Sequence, residues 1–113
     1  MTVDQAFSVL NAEVVCGDAD LTRAVRHVVA SDLMSDVLLV DEEDILLLTS
    51  LASEQVLRTA HIVGASGVVV VNGKSIPDSM AEVARELRMP LAVSKLSKFN
   101  SCVAIHHGLS DSP

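Results

Sequence analysis

The chain has 113 residues, half of them apolar and a fifth charged, with eight Lys and Arg against fifteen Asp and Glu. This is one folded domain's worth of sequence, and it excludes a disordered, collagenous or low-complexity chain. The formal net charge of −7 repels nucleic acid and anionic lipid at long range, and with Phe7 and Phe99 as the only aromatics the core must be aliphatic and base-stacking platforms are not expected.

Thr2-Val3-Asp4-Gln5 fits a capping box, and Ala6, Phe7 and Leu10 follow at helical spacing, which predicts a short helix ending near Asn11. Glu13 to Gly17 reads as a strand and Gly17-Asp18-Ala19-Asp20 as a turn, while Leu21 to Arg26 is ambiguous. His27 to Ala30 favours a strand. Ser31 or Asp32 can then cap a helix with Leu33, Met34, Val37 and Leu38 on one face. The acidic run Asp41 to Asp44 resists burial and starts a new strand at Ile45 to Thr49. Ser53 caps a helix carrying Val56, Leu57, Ala60 and Val63, with Gly64 as terminator.

Four valines, Val68 to Val71, read as a strand covered on both faces and therefore as the centre of a sheet. Ser79-Met80-Ala81-Glu82 offers a second capping box, and Pro90 closes the helix that carries Met80, Val83, Ala84 and Leu87. Leu91 to Ser94 is a further strand. Ser97 opens a last helix with Phe99, Cys102, Val103 and His106 as its apolar stripe, Gly108 as its stop and residues 110–113 as a disordered tail. Strand and helix alternate from Ile45 onward. The expected fold is therefore a single three-layer α/β domain over residues 1–109, with a mostly parallel sheet flanked by helices and a possible mixed edge from the N-terminal strands.

In a parallel sheet the carboxyl ends of the strands share one rim, where helix N-termini favour anions. That rule selects Asp32, Thr49, Ser50, Asn72, Gly73, Lys74, Ser94 and Lys95 as candidate ligand-binding residues, with Lys98 just behind. Three of the eight basic residues of an acidic chain fall on this rim. A small anionic ligand, most naturally a phosphate-bearing nucleotide, would pair with Lys74 and Lys95 and accept hydrogen bonds from Thr49, Ser50 and backbone N–H groups. The alternative is a set of polar βα loops whose lysines only solubilise the rim.

Catalytic and metal signals are weak. Gly64-Ala65-Ser66-Gly67 lacks the spacing of a nucleophile elbow, and Asn72-Gly73-Lys74-Ser75 has Val68 where a phosphate-binding loop needs its first glycine. His106 and His107 are adjacent and project about 100° apart on a helix. His27 and His61 read as core or interface residues, and Cys16 and Cys102 as buried thiols in a reducing compartment. Asp32 and Asp36 share a helical face, suitable for magnesium or acid–base work, although capping explains Asp32 alone. No catalytic residue, metal site or cofactor is assigned. With no signal-like start and no apolar run long enough to span a bilayer, a cytoplasmic protein is expected.

The segment Ala30-Ser31-Asp32-Leu33-Met34-Ser35-Asp36-Val37-Leu38, with Leu47-Leu48-Thr49-Ser50-Leu51, Arg58-Thr59-Ala60 and the Asn72-Gly73-Lys74 that follows the valines, resembles stand-alone DRTGG domains. That small α/β module is found beside CBS domains and is related in fold to the N-terminal domain of HPr kinase. The chain lacks the Asp-Arg-Thr-Gly-Gly string itself and has one glycine at the strand end where relatives often have two. The resemblance implies a non-catalytic regulatory or ligand-binding module, often dimeric, sensing a nucleotide-like anion or regulating a partner such as a kinase or hydrogenase system. A protein-only adaptor and a small enzyme acting on a phosphorylated metabolite, with Asp32 as base, are the alternatives.

Overall fold

A computed structural model describes residues 1–17 and 20–110. Its elements in chain order are α1 (Val3–Val9), β1 (Glu13–Cys16), β2 (His27–Ala30), α2 (Met34–Val37), β3 (Ile45–Thr49), α3 (Glu54–Ile62), β4 (Gly67–Val70), α4 (Asp78–Leu87), β5 (Leu91–Val93) and α5 (Lys98–Ser110). The five strands lie in the order β1-β5-β4-β3-β2. β2, β3, β4 and β5 are mutually parallel, and β1 runs antiparallel to β5. The mostly parallel α/β domain and its mixed N-terminal edge are thus as the sequence predicts.

The uninterrupted apolar runs of β3 and β4 arise because these central strands are covered on both faces. Leu47, Val68 and Val70 point to one face, against Leu57 and Ala60 of α3 and Met80 of α4. Leu46, Leu48 and Val69 point to the other, against Phe7 and Leu10 of the α1 region and Ile105 of α5. Each such fully buried aliphatic side chain contributes about 1.5–3 kcal/mol. One apolar layer would leave half of these residues in water.

Local rules hold in some places and yield in others. The Thr2 capping box is complete: Gln5 N–H donates to Thr2 Oγ1 at 3.2 Å and Thr2 N–H to Gln5 Oε1 at 2.9 Å. Ser53 precedes α3 as expected but makes no side-chain cap bond. α4 starts two residues earlier than the Ser79 box implies, after Pro77, and ends with Arg88 in the left-handed region (φ 54°) before Pro90 is reached. α5 continues past Gly108 to Ser110, so that residue is helical rather than tail; residues 111–113, like Asp18 and Ala19 of the expected turn, lie outside the described residues.

The stripe expected to bury α5 is displaced. Phe99 is 75% exposed and Val103 is exposed, whereas Ser101 and Ile105 face the sheet. Lys98 on the same inward side reaches Asp32. His27 and His61 are also at the surface rather than in the core, His27 pairing with Glu42 at 2.5 Å. Of the two thiols Cys16 is buried and Cys102 half-buried.

Gly17 shows where backbone freedom is required. Its φ is +102°, and a Cβ there would stand 2.5 Å from Pro90 Cα. Gly17→Ala is expected to lower unfolding stability by about 1–3 kcal/mol through strain and displacement of the β5 entry, measured as a shift in the urea midpoint without a change in slope.

Candidate functional site

The parallel register of β2 and β3 pairs Ala30 with Leu48, so the residues just beyond both strands are neighbours. Ser31 Oγ accepts a hydrogen bond from Leu33 N–H at 3.1 Å, and this tight turn sends the Asp32 side chain sideways toward β3 instead of into the start of α2. Capping, the expected role of Asp32, is therefore not its role: α2 begins after Leu33 with no side-chain cap.

Asp32 Oδ1 accepts from Thr49 Oγ1 at 2.8 Å, from Ser50 N–H at 2.7 Å and from Lys98 Nζ at 2.9 Å. Oδ2 accepts from the Ser50 hydroxyl. Thr49 Oγ1 itself accepts from Leu51 N–H at 3.2 Å. Partial burial pushes the Asp32 carboxyl toward protonation, but the bonds from the Ser50 hydroxyl and N–H, Lys98 and Thr49 together outweigh it and hold the group well below the usual carboxylate range. Such a carboxylate is a poor base at neutral pH and a good fixed acceptor. Lys98 completes the cluster. It carries the one charge that neutralises Asp32, and its place in the first turn after the last rim loop was the available signal.

The other half of the rim is built differently. Asn72 and Gly73 both take left-handed backbone angles, φ 66° and 62°. Their N–H groups donate to Leu96 O at 2.8 Å and Ser94 O at 2.9 Å, tying the end of β4 to the loop after β5. Ser94 is buried and donates its hydroxyl to Leu10 O at 2.8 Å while accepting Leu96 N–H at 3.2 Å. These groups are occupied by the fold.

Lys74 and Lys95 are exposed, and each lines a cavity. Lys95, Gly73, Asn11 and Leu96 border one of about 440 Å³. Lys74, Arg85 and Asp78 border another of about 400 Å³. Glu13 lines both, a carboxylate the sequence reading did not select. All eight candidate residues thus lie along one edge of the sheet. They form a closed polar knot around Asp32, a backbone clasp at Asn72, Gly73 and Ser94, and two cavities of mixed charge, one with Lys95 and Glu13 and one with Lys74 and Arg85 beside Glu13 and Asp78.

This architecture defines a class: a mixed but mainly parallel α/β domain whose strand-end rim holds bound carboxylate and lysine side chains. Among the described residues no helix is long and apolar enough to cross a membrane. The chain belongs to the purine catabolism regulatory protein-like family, whose model matches residues 5–102. In fold it is similar to the CBS and DRTGG domains of the regulatory region of Clostridium perfringens pyrophosphatase, solved with the activator diadenosine tetraphosphate. The TM-score is 0.67 at 12% identity, over 92% of this chain and 45% of that one. The chain therefore spans less than half of that structure, and the resemblance to DRTGG domains is borne out at the level of fold. No curated protein matches the chain.

Proposed function

We propose that this chain is a non-catalytic regulatory module of the cytoplasm, acting as one unit over residues 1–109 and as a homodimer, which binds a small nucleotide-like anion and passes the result to a partner enzyme such as a kinase or hydrogenase system. The observation that carries this reading is the placement of Lys74 and Lys95 beside cavities of about 400 and 440 Å³ at one sheet edge of a chain with net charge −7. Glu13 lines both cavities and Asp78 the one with Lys74 and Arg85, so the cations there offset the carboxylates and lessen, at this rim, the repulsion that an acidic chain sets against an anion. The fold neighbour's regulatory region binds diadenosine tetraphosphate as an activator, which supports a nucleotide as the first ligand to try.

The geometry favours a binding module over a small enzyme. Asp32, the base such an enzyme needs, has Thr49, Ser50 and Lys98 on its oxygens and lines neither cavity. A protein-only adaptor draws support from a different observation, the exposure of Leu33, Leu38, Leu39 and Ile62.

Calorimetric and thermal-shift titration with AMP, ADP, ATP and diadenosine tetraphosphate is expected to give heat and a raised melting temperature for at least one of them. The double variant Lys74→Ala/Lys95→Ala is expected to weaken that binding at least tenfold. Silence across the panel removes the ligand reading and leaves the adaptor.

A further inference from the structure

We propose that the amino ends of the parallel strands hold a second site, which binds a small, doubly charged organic oxyanion through Arg23 and Arg88. The ligand class is a dicarboxylate or a phosphate monoester with a short apolar stem. Arg23, His61 and Arg88 line a cavity of about 330 Å³ together with Asp20, over an apolar wall of Leu87 and Met89. The cavity sits where α3 and α4 end, just before β4 and β5 begin. It therefore lies at the opposite end of the sheet from Lys74 and Lys95 and shares no residue with the cavities there.

The employment of the arginines singles out these two. Arg26 pairs with Asp44 at 3.3 Å, Arg58 with Glu54 at 3.9 Å, and Arg85 lines a rim cavity beside Asp78. Among the described residues no ion pair engages Arg23 or Arg88. In a chain with fifteen acidic groups, both meet at one small cavity where Asp20 is the single carboxylate on the wall. Two guanidinium groups against one carboxylate leave the wall net positive. Guanidinium forks match the paired oxygens of a carboxylate or a phosphate, and His61 adds a ring nitrogen. The volume stands at the lower end of small-molecule sites, about 300–1,000 Å³, and suits a metabolite of a few carbons rather than a dinucleotide.

A basic side chain at a helix C-terminus also balances the helix dipole, but here the closing carbonyls are already engaged. Ala65 N–H donates to Ala60 O at 2.9 Å and Gly64 N–H to His61 O at 3.1 Å; Met89 N–H donates to Ala84 O at 2.9 Å and Arg88 N–H to Arg85 O at 3.2 Å. The same closing turn is made twice, with Gly64 at φ 70° in one and Arg88 at φ 54° in the other. Glycine closes α3 without strain, so closure of α4 alone does not call for an arginine at the matching position. Arg23 belongs to neither helix. Its backbone is fixed on both sides, Val3 N–H donating to Arg23 O at 2.9 Å and Arg23 N–H to Asp20 O at 3.3 Å.

Calorimetric titration of the full chain with succinate, propyl phosphate and inorganic phosphate tests this. Saturable heat is expected with succinate or propyl phosphate, and the one that binds identifies the head group as carboxylate or phosphate. Inorganic phosphate, which has no stem, is expected to bind about tenfold more weakly or worse. Arg23→Ala and Arg88→Gly are each expected to weaken the organic probe about tenfold or more. Arg88→Gly is expected to melt no lower than wild type, because glycine suits the left-handed turn; Arg88→Asn, uncharged and tolerant of the same region, serves as the second variant. Silence of both organic probes overturns the site, as does binding that survives the arginine variants. Inorganic phosphate binding as tightly as the organic probes overturns the ligand class. A lowered melting temperature in Arg88→Gly with binding unchanged assigns Arg88 to helix closure instead. Lys74→Ala/Lys95→Ala is expected to leave this binding intact, and Arg88→Gly to leave nucleotide binding intact, so the two sites fail separately.

Discussion

Phe7→Ala is expected to lower unfolding free energy by about 3–5 kcal/mol, whereas Phe99→Ala is expected to change the stability of the single chain by no more than about 0.5 kcal/mol. Phe7 is 2% exposed and packs with Val3, Ala6 and Leu10 against Leu46, Leu48 and Val69. Its removal leaves a void under a seven-residue helix, and such a helix has too little intrinsic stability to hold its place without the apolar face. Domains of this size have about 5–15 kcal/mol in total, so the variant stands near the edge of folding. Urea unfolding followed by circular dichroism at micromolar concentration checks both values. Equal losses for the two phenylalanines would contradict the assignment of α5's outer face.

Asp32→Asn is expected to cost about 2–4 kcal/mol at pH 7, a range set by several hydrogen bonds to an ionised group and reduced for partial exposure. The amide keeps the shape but loses the charge that Lys98 faces, and it turns one acceptor into a donor against the Ser50 or Thr49 group. The sign of the pH dependence follows from the direction of the shift. The folded carboxyl is held below its unfolded value, so its contribution is complete above roughly pH 5 and is lost progressively as the pH falls through and below the ordinary Asp value of about 3.9. Wild type minus Asp32→Asn, measured by urea midpoints between pH 7 and pH 3, is expected to shrink toward acid. A difference that stayed constant would show that Asp32 acts through shape rather than charge.

The layering of the molecule was legible because periodicity is local. The valine run and the capped helices announced a parallel sheet, and the rule that strand ends share a rim brought Asp32, Thr49, Lys74 and Lys95 to one edge. The roles of those residues were not legible. Asp32 looked like a helix cap because the rule for caps sees only the next few residues, while Thr49 and Ser50, which capture it, are 17 and 18 positions away. In α5 the inward face carries Ser101 and the outward face Phe99, so ranking residues by hydrophobicity selects the wrong side. Ser94 was a candidate ligand residue by its loop; its hydroxyl serves Leu10 O, a partner 84 positions distant.

The two margins of the sheet differ in a way that limits growth. At β1 the pairing with β5 slips between Val14 and Cys16, and the strand closes on the crowded Gly17–Pro90 junction. A kinked, four-residue margin with Glu13 at its start makes a poor template for another chain. Growth of the sheet by added strands is thereby blocked at that margin, and the protein avoids the endless ribbon that a sheet with two smooth borders invites.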